Sequence, residues 1–297
     1  MQTFLPYPDF ERCAAVLDRA RLGKQRVEVL QILRALRIEG YGWRSHPVVR
    51  MWRGCTEALV AYGLACSREW TGRGHPDTCE VQIAEFAAAA RTQAELAGAG
   101  ALPAWLGDGA LHRSHQSALV RKDPAYYRPL FPDVPDALPY VWPDVPAERA
   151  AEPAPFSAWV VRATDPRMLG MFVDAGVVAL EPEDGAGPAE HLAADEPPRR
   201  ARKRHRIIER FVEDMREGDP VVVPTAAGQR LLVGRVAGEY RFERVPPSRA
   251  PLHVRSVSWA AFAARSSLRD PAALQDPQLV FPVHGEQRLI TVAGAPG

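Results

Sequence analysis

Arg21-Leu22-Gly23-Lys24-Gln25-Arg26-Val27-Glu28, continued by Val29-Leu30-Gln31-Ile32-Leu33-Arg34-Ala35-Leu36, reads as a two-faced helix. At about 100° per residue, Arg21, Lys24, Gln25 and Glu28 share one face, while Leu22, Val29, Leu33 and Leu36 form an apolar stripe on another. One carboxylate thus stands among cations on a rigid element anchored by its opposite side. That arrangement suits an acid/base carboxylate beside a phosphate-binding patch. It suits equally well a solvated helix whose Lys24–Glu28 pair contributes about 0.3–0.5 kcal/mol.

The segments around this helix read as helical too. Asp9 is placed to cap a short helix through Leu17, and the main helix occupies residues 19–38, ended by Gly40 and Gly42. Ser45-His46-Pro47 opens another that carries Val48, Met51, Trp52, Leu59, Tyr62 and Leu64 to the region of Trp70. Asp77 caps an alanine-rich helix to Gly98, residues 110–122 form one more, and Pro124 begins an aromatic turn ending at Phe131. An all-α domain is therefore expected over residues 1–131. Residues 132–155 hold seven prolines, a density that excludes helix and central strand and predicts an extended connector. From Phe156 the period becomes strand-like. Candidate strands at 158–161, 177–180, 221–223, 231–236, 240–242, 253–257 and 280–283, with helices at 166–175 and 204–216, predict a small α+β domain over 156–288. Its sheet is expected to be curved or closed into a barrel, with a loose tail at 289–297.

Composition narrows the function classes. Hydrophobic residues make 46% of the 297-residue chain and charged residues 25%, the balance of a globular protein. No apolar run approaches the roughly 20 residues of a membrane span, and the first residues lack the charged and apolar regions of a signal peptide. Membrane partners are therefore not expected and a cytoplasmic location is. Cys13, Cys55, Cys66 and Cys79 form no Cys-x-x-Cys pair and read as small buried residues, so neither a zinc site nor any cofactor is expected. The net charge of +1 excludes a polycation, but Arg199–Arg206 is a dense basic run that follows the acidic stretch Glu181–Glu196. It suits phosphate contacts or a solvated loop balancing its acidic neighbour.

Taken in order, four segments carry a family resemblance. Leu17-Asp18-x-x-Arg21-Leu22-Gly23-Lys24-Gln25-Arg26-Val27-Glu28 resembles the first long helix of the pyrimidine-dimer DNA glycosylases of the phage endonuclease V type. His46-Pro47 and Glu69-Trp70-x-x-Arg73-Gly74 resemble the two ends of that family's second helix. His112–Lys122 resembles its third, and Pro124-x-Tyr126-Tyr127 its aromatic end. The resemblance implies an all-helical, bifunctional enzyme that removes a damaged base and then nicks the abasic site. In that chemistry an N-terminal α-amine attacks the sugar carbon and forms a Schiff base, assisted by a helical glutamate that falls on Glu28 here. An α-amine, with an ordinary pKa near 8, is neutral more often than a lysine, at about 10.4. Phage-type members expose a small residue after methionine removal. Residue 2 here is Gln, before which methionine is usually retained, so the amine is expected to be that of Met1. Lys24 is the alternative amine, and water activated by Glu28 is the monofunctional alternative.

Arg21 and Arg26 would hold flanking phosphates, with His46, Arg50, Arg53, His112, Arg113 and His115 as further nucleic-acid contacts or as polar residues between helices. His112 and His115 share a face but lack a carboxylate or cysteine partner, so no metal is expected there. Residues from 156 onward resemble an EVE/PUA-like domain. The resemblance rests on Trp159-Val160-Val161-Arg162, on the helix-then-Gly218-Asp219-then-strand order, and on Val233-Gly234-Arg235-Val236-x-Gly238-x-Tyr240. It implies a reader of modified bases, with Trp159, Tyr240 and Trp259 as candidate pocket walls, or else as core residues. Two functions follow. One is a DNA glycosylase with abasic-site lyase activity, acting on a flipped base in damaged or modified duplex DNA, in repair or in defence against modified phage DNA. The alternative is a non-catalytic reader of modified DNA or RNA bases.

Overall fold

The computed structural model describes residues 1–38, 40–143, 145, 154–182, 201–225 and 228–294, the side chains of 201–203 excepted. The acidic stretch beyond Pro182, Arg199 and Arg200, and most of residues 144–153 lie outside the described residues. The chain divides into two compact units, Met1–Ala151 and Glu152–Gly297.

The first unit is helical. It comprises α1 (Phe10–Val16), α2 (Arg19–Arg37), α3 (Pro47–Arg50), α4 (Thr56–Gly72), α5 (Cys79–Ala84), α6 (Gln93–Gly98), α7 (Gly109–Lys122) and α8 (Pro124–Tyr127). Aspartates start several of these: Asp9, Asp18 and Asp108 accept hydrogen bonds from the first free N–H groups of α1, α2 and α7. Two expected helices are each divided. Gly54, at φ 72°, breaks the run from Ser45 to Trp70 into α3 and α4. The stretch 77–98 becomes α5 and α6, because Thr92 and Glu95 form a reciprocal capping box that starts a new helix. Helix α4 packs on α2 through Gly63, where an added Cβ would stand 2.6 Å from Val29 Cγ1.

The proline-rich stretch was expected to be an extended connector, and its first part packs on the helical unit. Val134 is buried, Leu138 N–H donates to Ser117 Oγ at 3.0 Å, and Val141 N–H donates to Ser114 Oγ at 3.2 Å. Proline forbids helix here but leaves the intervening N–H groups free for side-chain acceptors on α7.

The second unit orders β1 (Phe156–Val161), α9 (Pro166–Ala175), β2 (Val177–Leu180), α10 (Ala201–Glu209) with a π turn at Arg210–Asp214, β3 (Pro220–Pro224), β4 (Arg230–Glu243), β5 (Leu252–Ala264), β6 (Val280–His284) and α11 (Gln287–Val292). The strands form one sheet in the order β2-β5-β4-β3-β1-β6. Among the described residues only the β1–β3 pair is parallel. The sheet is open, with β2 and β6 at its edges. Two expected strands fuse into β4, whose pairing with β5 shifts register between Val236 and Tyr240. Alternation divides the core into two layers. Trp159, Val161, Val221 and Val223 join Phe172 and Phe211 on one face, and Ala158, Val160, Val222, Leu231 and Val233 join Leu289 on the other. The tail is therefore not wholly loose: Leu289 is fully buried and α11 covers the second face.

Candidate functional site

The first eight residues form no helix, and Pro6 and Pro8 disfavour one. Their backbone groups are satisfied by side chains rather than by a sheet. Gln25 of α2 accepts from Phe4 N–H at 2.9 Å and donates to Gln2 O at 2.9 Å. Tyr62 of α4 donates to Phe4 O at 2.6 Å. On α7, His115 Nδ1 accepts from Leu5 N–H at 2.9 Å, His112 Nδ1 lies 2.7 Å from Leu5 O, and Gln116 donates to Pro6 O at 2.8 Å. Gln93 of α6 donates to Pro8 O at 2.8 Å. Side chains from α2, α4, α6 and α7 thus fix the segment that ends in the α-amine.

That amine lies 3.6 Å from Glu28 Oε1. Lys24 Nζ stands at the same distance, 3.6 Å, from the same oxygen. The two amines differ in setting. The Lys24 side chain is 73% exposed, whereas the Met1 side chain is buried, and Glu28 itself is only 5% exposed. A separation of 3.6 Å is an ion-pair contact just beyond hydrogen-bond range, and such contacts tighten when substrate completes a site. The arrangement places an α-nitrogen, held by its own chain, beside a carboxylate largely withdrawn from solvent.

His46 closes one side. It caps α3, its Nδ1 accepting from Val48 N–H at 3.1 Å, and its ring meets Trp43 and Trp142 edge-on with centroids 5.9 Å and 6.3 Å away. Burial lowers its pKa, the positive α-amine lowers it further, and Glu28 opposes both. His46 thus lies within the electrostatic reach of both the amine and Glu28.

Other expected contacts are committed elsewhere. Arg21 pairs with Asp18 at 3.3 Å and Asp123 at 3.5 Å and donates to Lys122 O at 2.8 Å, tying α2 to the α7–α8 corner. Arg26 projects from the opposite side of α2, is ion-paired with Asp77, and lies 4.4 Å over the Trp70 ring. Each is thus paired with a carboxylate of its own fold. His112 and His115 are likewise a clamp on Leu5 rather than nucleic-acid contacts, and Gly107 N–H donates to His112 Nε2 at 3.1 Å. Arg113 donates to Asp133 O at 2.7 Å. Arg50 is exposed at the end of α3, and Arg53 is half-buried in the next turn.

In the second unit Trp159 belongs to the apolar core, and Tyr240 and Trp259 are partly buried against it. Trp159 is 6% exposed, and its indole N–H donates to Asp219 Oδ2 at 2.9 Å. Trp259 donates to Phe172 O at 2.8 Å, and Tyr240 Oη lies 2.9 Å from His253 Nδ1. All three border the same apolar layer. The Gly218-Asp219 signature is structural as well: Asp219 Oδ2 also accepts from Arg216 N–H at 2.9 Å. Of the basic run, Arg204 donates to Glu181 O and Arg206 is exposed.

Three residues near the amine were not singled out from sequence: Gln25 as the clamp, and Tyr140 and Trp142, which sit against His115 with ring centroids 5.6 Å and 6.3 Å away. Two large aromatics within a proline-rich stretch were the available signal, since a solvated connector has no use for them.

Residues 1–83 match the family described as pyrimidine dimer DNA glycosylase, and residues 184–272 match a domain of unknown function (DUF8426). The first match contains Met1, Lys24, Gln25, Glu28 and His46. No curated protein and no solved structure matches the chain. No helix among the described residues is long and apolar enough to cross a membrane.

Proposed function

We propose that the helical unit is a DNA glycosylase with abasic-site lyase activity, in which the Met1 α-amine is the nucleophile and Glu28 the acid/base residue. The observation that carries this is the 3.6 Å contact of the amine with Glu28 inside the segment that matches the glycosylase family. The neutral amine attacks C1′ of the target nucleotide, and the glycosidic bond breaks with its electron pair leaving on the base. Glu28 then takes a proton from the nitrogen and returns one to O4′ as the sugar ring opens, leaving a Schiff base between Met1 and C1′. Loss of a C2′ proton expels the 3′ phosphate and nicks the strand. Lys24, on the same carboxylate but exposed, holds the negative charge of Glu28 and gives a flanking phosphate a cation.

The substrate we propose is duplex DNA bearing a damaged or modified pyrimidine, turned out of the stack to reach the amine. The second unit is proposed to be EVE/PUA-like and to contact nucleic acid. Its supports are the order of helix, Gly-Asp turn and strand, and the exposed Arg206 of its basic run. Borohydride trapping on abasic-site and pyrimidine-dimer duplexes tests the reading. A covalent adduct is expected, abolished by acetylating the α-amine and reduced about 100-fold or more in Glu28→Gln, within the range of general acid–base contributions. No adduct and no base release on any damaged duplex would overturn it and leave the non-catalytic reader.

A further inference from the structure

A chain end is poorly ordered unless something ties it down, and the α-amine stands at one. The main-chain tie nearest to it in sequence comes from Gln25 of α2. The Gln25 amide donates to Gln2 O at 2.9 Å and accepts from Phe4 N–H at 2.9 Å, so it holds the two peptide groups that flank Thr3. A residue of a parallel strand would bond the same two groups. One side chain, only 1% exposed, therefore does the work of a strand partner. The other ties from neighbouring helices act farther along: Tyr62 at Phe4 O, His115 at Leu5 N–H and Gln116 at Pro6 O.

Gln25 and Glu28 are three residues apart on α2, neighbours on one face. The anchor of the chain end and the carboxylate that meets the amine thus belong to one rigid helix. The 3.6 Å between the amine and Glu28 Oε1 is set first by α2, and only then by the packing of α4 and α7 on the same segment. A glutamine that merely satisfied buried main-chain groups would contribute stability alone. We propose that Gln25 is a positioning residue of the reaction: it fixes the register of the chain end on α2, so that the amine meets Glu28. The proposal rests on the glycosylase reading. Misplacing a reacting atom by about 1 Å costs on the order of 100-fold in rate. A single peptide unit separates Met1 from the bond that Gln25 makes to Gln2 O.

The test uses the full chain carrying Gln25→Met, which keeps the length and loses both bonds, or Gln25→Asn, whose amide is one carbon too short for both. Tyr62→Phe is the comparison, because it removes a bond to the same segment from α4. Borohydride trapping on abasic-site DNA is measured at saturating duplex, beside duplex affinity and melting temperature. Both Gln25 variants are expected to lose about 100-fold in trapping rate, with affinity within about threefold of the wild type. Tyr62→Phe should melt lower but keep its rate within about threefold. A second readout needs no DNA. A water-soluble carbodiimide joins an amine to a carboxylate in contact with it, and Lys24–Glu28 is an internal standard on the same helix. The ratio of Met1–Glu28 to Lys24–Glu28 product should fall about tenfold or more in both Gln25 variants. An unchanged rate or ratio in them, or an equal loss in Tyr62→Phe, would overturn the positioning role. A wild-type chain that forms no adduct would instead overturn the glycosylase reading, while the coupling ratio would still decide whether Gln25 holds the amine.

Discussion

Glu28 and the Met1 amine meet because polar side chains, not strand partners, hold the N-terminal segment. His115 shows what this demands. It is fully buried, accepts from Leu5 N–H through Nδ1, and has no partner for Nε2. Burial, aided by the neighbouring His112, lowers its pKa to about 3. The sign follows directly. The folded value lies below the ordinary value of about 6.5, so the unfolded chain binds the proton more readily. The stabilisation is complete above the unfolded pKa and is lost as pH falls from there toward the folded value. Between pH 7 and pH 5 the loss amounts to about 2 kcal/mol from this one group. In urea titrations His115→Asn, which keeps an acceptor for Leu5 but does not titrate, should lose about 2 kcal/mol less than the wild type over that interval. Equal losses in the two proteins would show that His115 is not the group responsible. At this scale the sequence was half legible. Glu28 and Lys24 follow from helical spacing. The clamp by Gln25 and His115 does not, because its partners lie 21 and 110 residues away and no periodicity encodes such contacts.

At the scale of elements, the placement of Glu28 depends on how closely α2 approaches α4. Val29, next to Glu28, occupies the space that a side chain at Gly63 would need, with 2.6 Å to an added Cβ. Gly63→Ala gains about 1 kcal/mol of helix propensity but overpacks a rigid contact, a change that typically costs about 1–3 kcal/mol. A net destabilisation of up to about 2 kcal/mol is expected, with trapping reduced more than stability alone explains because α2 carries the carboxylate. A Gly63→Ala protein with wild-type melting temperature and full trapping would contradict this coupling. The helices were legible wherever an aspartate caps them or an apolar stripe spans them. Their interruptions were not, because Gly54 and the Thr92–Glu95 box compete locally with a helical pattern that continues on both sides. In the second unit the period-2 runs identified the strands. Trp159 and Trp259 could not be assigned to pocket or core from sequence, since both roles require the same apolar ring; the structure gives their N–H groups acceptors in Asp219 and the Phe172 carbonyl and buries the ring of Trp159.

At the scale of the whole molecule, each unit has its own core, so damage to one core should leave the chemistry of the other in place. Trp159→Ala removes a buried ring and a buried hydrogen bond, and is expected to cost the second unit about 3–5 kcal/mol. Scanning calorimetry should show one transition shifted down and the other unmoved, with adduct formation on abasic-site DNA retained. Loss of both transitions together would show that the two cores unfold as one. The division into a helical half and a sheet-forming half was legible from the change of period at Phe156, but the packing of residues 132–142 on the helices was hidden by their prolines.

The central claim is that the α-amine, not the exposed lysine on the same carboxylate, is the nucleophile. Mass mapping of the borohydride-reduced adduct after trypsin digestion tests it most directly. The account predicts the nucleotide remnant on the N-terminal peptide, Met1 to Arg12, with cleavage at Lys24 intact. A remnant on Lys24, with cleavage there blocked, would contradict it.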